Sequence, residues 1–339
     1  MKRGIIFITL QLMVFSMVSY GKKLATLPGL FKPYFIIMDN EQLYVCDGAL
    51  VSIYSLKDFS LISRFGKEGE GPEEFKLSPS KDGLFVHPQT DYLLISSIRK
   101  ASFYTIEGKF IKEMRVGNNQ IVGNYQTIGN KFAGLDSNLG GDLSMVFTIN
   151  IFDDKFTKIK GIYKQDFMER GSMTFPMVYP LFFVEDNKII APADEAFTLN
   201  IFDADGNKIS GIHWEYKRLK VKEDYKKGVH QFFKTDPGTK QYYEVFFKKL
   251  LKFSDYFPAI QFFTVDNGKI YIQTYLEKDD KYEFFIYDLK GTFLKRLFLP
   301  VAYLNVFMPQ AYTIKNNTLY QLIENEDEEE WELHAVEIK

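Results

Sequence analysis

One cysteine, Cys46, occurs in 339 residues, so neither an intramolecular disulfide framework nor a cysteine-based zinc site is available. Charge of one sign is also scarce. The 42 Lys and Arg against 44 Asp and Glu leave a net of −2, which argues against a broad electrostatic commitment to nucleic acid. The four histidines, His87, His213, His230 and His334, are scattered along the chain, whereas a His-ligated metal needs several nitrogens converging at about 2.0–2.1 Å. There is no Gly-x-Ser-x-Gly elbow, His-Glu-x-x-His pair or phosphate-binding Gly-Lys loop. What the chain has in quantity is apolar and aromatic: 46% hydrophobic and 17% aromatic residues exclude a disordered chain, a collagen and a simple coiled coil.

Residues 1–21 read as a secretory signal. Lys2 and Arg3 form a positive start, the run from Ile5 to Val18 is largely apolar, and Ser19-Tyr20-Gly21 offers small residues at the cleavage site. That run is shorter than the roughly 20 residues of a spanning helix and contains Gln11, so no transmembrane span is expected after cleavage. No cysteine follows it to carry a lipid. The expected product is an exported, periplasmic or extracellular protein with residues 22–339 as one domain.

That domain is repetitive. An apolar-aromatic pair followed by a polar turn recurs at Ile53-Tyr54, Phe103-Tyr104, Ile151-Phe152, Ile201-Phe202 and Ile286-Tyr287, spaced near 50 residues except for one interval about 35 longer. A second β-rich marker lies upstream of each, at Leu43-Tyr44-Val45, Leu93-Leu94-Ile95, Phe132-Ala133, Ile189-Ile190-Ala191 and Ile270-Tyr271-Ile272. A sixth appears at Leu319-Tyr320. Further strands precede these, as at Tyr34 to Met38 and Ile260 to Val265. Such a period marks a propeller or solenoid, and four antiparallel strands per unit, A to D, make the blade of a β-propeller. The sixth C strand is predicted near Trp331 to Ile338, which leaves blade six without a D strand. Lys22 to Leu27 is the natural donor, and pairing it there closes the ring and covers two open edges. The predicted fold is an all-β, six-bladed β-propeller whose N-terminal strand completes the last blade.

The segment Phe65-Gly66-Lys67-Glu68-Gly69-Glu70-Gly71-Pro72-Glu73-Glu74-Phe75 resembles the Gly-rich link between blades in the six-bladed NHL-like propellers common among exported bacterial proteins. Its glycines allow φ > 0, and Phe65 and Phe75 can pack between blades. The resemblance spans nearly all of 22–339. It implies a scaffold and carries no particular function with it.

In an up-and-down blade the D-to-A links share a face with the B–C hairpins, and the largest departure from the repeat falls there. The excess between blades four and five, about 216–252, holds eleven basic residues against four acidic ones, a net of +7 that leaves −9 elsewhere. Tyr243, Phe246, Phe247, Leu250 and Leu251 recur at helical spacing, predicting a helix from about Gly238 to Phe253 and a shorter one before Pro237. Lys248, Lys249 and Lys252 are the candidate docking residues for an acidic partner, or for peripheral contact with a membrane. The acidic B–C hairpin of blade six, Glu324 to Glu330, is expected on the same face, attracting the insertion across the mouth.

Loop-borne candidates for ligand contact at that face are Asp47, Arg99, Lys100, Asp136, Arg170, Asp194, Glu195 and Glu277. Asp203-Ala204-Asp205-Gly206-Asn207 has calcium-loop flavour, but its Gly is in the fourth position and no Glu stands at the twelfth, so it reads as a C–D hairpin. The expected function is binding of a protein, peptide or glycan, with no cofactor, no assigned metal ligand and no assigned reaction. The alternative is a lactonase-like or lyase-like propeller hydrolase using a divalent cation, such as calcium, at the central channel.

Overall fold

The computed structural model describes residues 20–78, 83–116, 123–142, 144–169, 171–178, 180–193 and 197–339. The chain opens with β1 (Lys22–Leu27). Blade one follows as β2 (Pro33–Met38), β3 (Gln42–Asp47), β4 (Leu50–Ser55) and β5 (Leu61–Phe65). Blade two is β6 (Phe85–Pro88), β7 (Leu93–Ser97), β8 (Lys100–Tyr104) and β9 (Phe110–Arg115). Blade three is β10 (Gln126–Ile128), β11 (Lys131–Leu139), β12 (Met145–Phe152) and β13 (Lys158–Met168). After the short β14 (Met173–Phe175), blade four is β15 (Phe183–Glu185), β16 (Lys188–Pro192), β17 (Thr198–Phe202) and β18 (Lys208–His213). The insertion carries α1 (Glu223–Thr235) and β19 (Leu251–Phe253). Blade five is β20 (Phe262–Asp266), β21 (Lys269–Lys278), β22 (Lys281–Asp288) and β23 (Phe293–Leu299). A small hairpin, β24 (Tyr303–Asn305) and β25 (Met308–Pro309), leads to blade six: β26 (Tyr312–Lys315), β27 (Thr318–Asn325) and β28 (Glu330–Glu337).

Each blade is a four-stranded antiparallel sheet in sequence order except the last, whose order is β1-β28-β27-β26. The register of β1 against β28 runs from Lys22↔Ala335 to Leu27↔Trp331, so the N-terminal strand supplies the missing D strand, as the repeat predicts. Leu27 is buried there with Trp331, Leu322 and Leu333. The inner strand β26 of blade six lies against β2 of blade one, which closes the ring.

The middle strands are apolar along their length because neighbouring blades cover both faces of each sheet. Every residue of β7 and β8 is buried, whereas no residue of β9 at the outer edge is. Phe65 and Phe75 pack in the cluster between blades one and two, as expected of that link, and Phe65 stacks on Tyr104 at 4.5 Å. The C–D hairpins share one device. Asp203 Oδ1 accepts the N–H groups of Asp205 and Asn207 at 2.9 and 2.8 Å, and Asp288 Oδ1 those of Lys290 and Thr292 at 2.9 and 2.7 Å. Gly206 takes φ +71°, and a side chain there would overlap Ile151 and Ile162 of the preceding blade. The Asp203 segment is thus the C–D hairpin of blade four, joining β17 to β18.

The insertion corrects one expectation. Its long helix is α1, before Pro237, and not the stretch from Gly238 to Phe253. That stretch passes through a 3-10 turn at Lys240–Tyr242, a π turn at Tyr243–Phe247 and an α turn at Lys248–Leu250, then becomes strand at Leu251–Phe253. Tertiary packing overrides the helical spacing here: β19 pairs in parallel with β14, which pulls Leu251 and Phe253 out of any helix.

Candidate binding face

In a closed ring of antiparallel blades the A–B turns and C–D hairpins share one face, and the B–C hairpins and blade-to-blade links share the other. The eight loop candidates were expected at this second face. Asp47, at the end of β3, is buried, and its carboxylate accepts Phe31 N–H at 2.6 Å and Lys32 N–H at 2.7 Å. Lys100 is buried at the start of β8. Its Nζ donates to Gly71 O at 2.7 Å, Glu74 O at 3.1 Å and Glu113 Oε2 at 3.1 Å, anchoring the Gly-rich link. Arg99 is exposed in the neighbouring B–C turn at φ +61°. Asp136 is buried on β11, where Oδ2 accepts Asn150 Nδ2 at 2.7 Å. Glu277 is exposed near the tip of the blade-five B–C hairpin, opposite Tyr282. These five stand on four different blades, while Arg170, Asp194 and Glu195 lie outside the described residues.

The contacts between neighbouring inner strands are aromatic and amide. Phe35 of β2 meets Phe85 of β6 edge-on at 5.4 Å, and Phe183 of β15 meets Phe263 of β20 at 5.2 Å. Gln126 bridges blades three and four, donating to Phe182 O at 2.9 Å and accepting Val184 N–H at 2.8 Å. Gln273 bridges blades five and six: Nε2 donates to Tyr303 OH at 2.7 Å, and Oε1 accepts Tyr312 OH at 2.8 Å. Burial holds both phenols above their ordinary pKa, so they are neutral. His87, beside Asn124 Oδ1 at 2.6 Å, is pushed down to about 4 by burial and is also neutral near pH 7. Among the described residues no three His, Cys, Asp or Glu side chains gather as a metal set. These polar groups are uncharged, largely buried and bonded to one another or to backbone, so they join neighbouring blades.

Over part of this face three consecutive links build a cap. Phe175 from link three-to-four, Val229 and Phe233 of α1, Tyr243 and Leu251 form one apolar cluster, joined by Phe307 from the β24–β25 hairpin. Phe307 touches both Phe175 at 5.3 Å and Phe232 at 5.0 Å, so the links before blade four and before blade six meet through the insertion. While Tyr243 and Leu250 turn inward, Tyr242, Val245 and Phe246 face solvent at 51, 70 and 41% exposure.

The cap's charges are partly consumed within it. Lys226 pairs with Glu223 at 2.7 Å, Lys227 with Asp224 at 3.4 Å, and Lys248 with Glu244 at 2.9 Å. Arg218 lies over Tyr256, and Lys234 over Tyr243. Lys217, Lys220, Lys222, Lys240, Lys249 and Lys252 are exposed and make no ion pair among the described residues, so Lys249 and Lys252 stay available where Lys248 does not. The acidic hairpin does not reach across to them. Among the described residues no ion pair joins Glu324–Glu330 to the insertion, and Glu328 and Glu330 instead act on Lys23, which pairs with Glu332 at 2.7 Å.

Two features of this face have little or no signal in the sequence. One is the β24–β25 hairpin, signalled only by the length of the link between blades five and six. The other is Phe31, the most exposed large apolar residue among the described ones at 88%, set between Gly29 and Pro33 in the link from β1 to β2. A surface concavity of about 470 Å³ lined by Asn40, Gln42, Ser55, Lys57 and Ile62 lies on the opposite face and is open to solvent.

Closed ring, strand exchange and capped face define a six-bladed β-propeller with one elaborated face. No protein-family model matches the chain, and no curated protein matches it. Among solved structures it is similar to a protein from Bacteroides fragilis described as exported, at 12% identity and a TM-score of 0.53, covering 94% of each chain. It is similar also to a member of the DUF4221 family from Bacteroides vulgatus, at 12% identity and a TM-score of 0.50, covering 91% of this chain and 93% of that one. At this identity the likeness shows the fold.

Proposed function

We propose that the protein is an exported, NHL-like propeller that works as a binding module, taking a protein, peptide or glycan at the capped face. The observation that carries this reading is the cap itself. Three links combine to bury one apolar cluster while leaving Tyr242, Val245 and Phe246 in solvent beside unpaired lysines. Contiguous exposed apolar surface rimmed by charge marks an interaction site more often than a bare rim. The amino-terminal signal pattern and the exported neighbour support the address, and among the described residues no helix is long and apolar enough to cross a membrane.

The test is site-specific photo-crosslinking in envelope extract with a probe at Phe246, compared with one at Ile111, which is exposed on the outer strand β9. Partner capture from position 246 and not from 111 is expected. Equal capture at both, or none at 246, overturns the reading. Stoichiometric calcium in the purified protein would instead support the cation-dependent hydrolase.

A further inference from the structure

The capped face carries two separate patches, one an apolar centre where exposed lysines outnumber the exposed Glu244, the other an apolar centre beside an acidic hairpin with the exposed Lys32 next to it. The first is Tyr242, Val245 and Phe246 with Lys240, Lys249 and Lys252. The second is the B–C hairpin of blade six, where Glu324, Glu326, Asp327, Glu328 and Glu329 are exposed and the adjoining apolar residue is Phe31. Trp331, one residue beyond the hairpin, donates its indole N–H to Phe31 O at 3.3 Å, and Asp47 holds the Phe31 and Lys32 N–H groups from the other side. An aromatic ring is thereby held in solvent at the root of an acidic hairpin. Within one chain the two patches make no ion pair with each other among the described residues.

We infer that the partner of the capped face is a second copy of this chain, docked face to face about a two-fold axis. The inference rests on the reading that this face is the docking face, and names its occupant. Two patches on one face are exchanged by a two-fold axis that lies in the plane of that face along their bisector. Such an isologous contact sets the lysines of each copy against the acidic hairpin of the other, twice over. An acidic peptide would use only the basic patch and leave Phe31 bare, and an anionic bilayer approaching the face would meet the acidic hairpin. A second copy covers both patches at once.

Sedimentation equilibrium of the purified protein tests this. At roughly 50 mM salt the mass should be twice that of one chain, and at roughly 0.5 M salt association should weaken about tenfold, because the contact depends on screened charge. The triple variant Lys240→Glu, Lys249→Glu and Lys252→Glu should be monomeric, and so should Glu326→Lys, Asp327→Lys and Glu328→Lys. Mixed one to one, the two should dimerise again, because every reversed insertion then faces a reversed hairpin. Phe31→Ser, with unchanged circular dichroism, should also be monomeric. A monomer for the wild type at about 100 µM, a dimer indifferent to either reversal, or a mixture that fails to recover would overturn the inference. If the protein is monomeric yet the probe at Phe246 still captures an envelope component, the docking face stands and its partner is not a second copy. If neither occurs, both readings fall.

Discussion

Asp47 and Phe31 are tied across sixteen residues: the carboxylate at the end of β3 accepts the Phe31 N–H at 2.6 Å, and that of Lys32 at 2.7 Å. The bond sets the course of the link from β1 to β2. Asp47→Ala leaves two backbone donors without a protein partner and should cost about 1–3 kcal/mol, read as a lower urea midpoint with unchanged slope. Asp47→Asn keeps one acceptor oxygen and should fall between the two. Equal stability of all three proteins would mean that water replaces the carboxylate at no loss.

The strand exchange makes stability depend on acid. Glu332 on β28 accepts from Lys23 of β1 at 2.7 Å and pairs with His334 Nε2 at 2.8 Å. The hydrogen bond from Lys23, then that from His334, lowers its carboxyl from 4.5 to about 2. A carboxyl depressed in the folded state adds stability above its unfolded pKa and loses it as pH falls through the folded value. Wild type should therefore exceed Glu332→Gln in urea midpoint at pH 7, with the gap closing between about pH 4.5 and 2. A gap constant down to pH 2 would remove Glu332 from the closure.

The ring was legible because its signals are local and repeated. Apolar-aromatic pairs such as Ile201-Phe202, followed by Asp203 and Gly206, fix both a buried C strand and the turn after it, and counting them places the missing strand at Lys22–Leu27. The site was less legible because charge in a loop does not reveal its partner. Asp47 and Lys100 look like ligand contacts in the sequence, but their polar atoms are occupied by backbone of neighbouring links. The reversed helix lengths have a similar cause. Nothing local to Leu251 or Phe253 announces β14, which lies some eighty residues earlier and draws them into a parallel pair. Phe31 has no sequence signal, because no period applies to a link that occurs once.

Blade five holds a buried carboxylate whose balance can be tested. Glu283, with 1% of its side chain exposed, accepts Arg296 Nε at 2.6 Å and Thr274 Oγ1 at 2.7 Å. Arg296→Met strands that charge and should cost about 3 kcal/mol, the low end for a broken buried pair because the arginine is half exposed. Adding Glu283→Gln should recover more than half of the loss. A double variant no better than the single would assign the cost to lost packing of Arg296 over Phe285.

The cap's integrity turns on one close approach. Gly228 of α1 faces Val306 at the tip of the β24–β25 hairpin, and any side chain there would overlap Val306 Cγ1. Glycine costs an α-helix interior roughly 1 kcal/mol relative to alanine, so its presence at this position fits the need for contact with the hairpin. Gly228→Ala should favour helix formation locally yet push the hairpin away, raising hydrogen exchange in residues 221–235 and 303–309 while the six blades keep their protection. Val306→Ala in the same chain should restore it. If Gly228→Ala alone leaves exchange in both segments unchanged, the hairpin is not held by the helix, and the three links do not act as one cap.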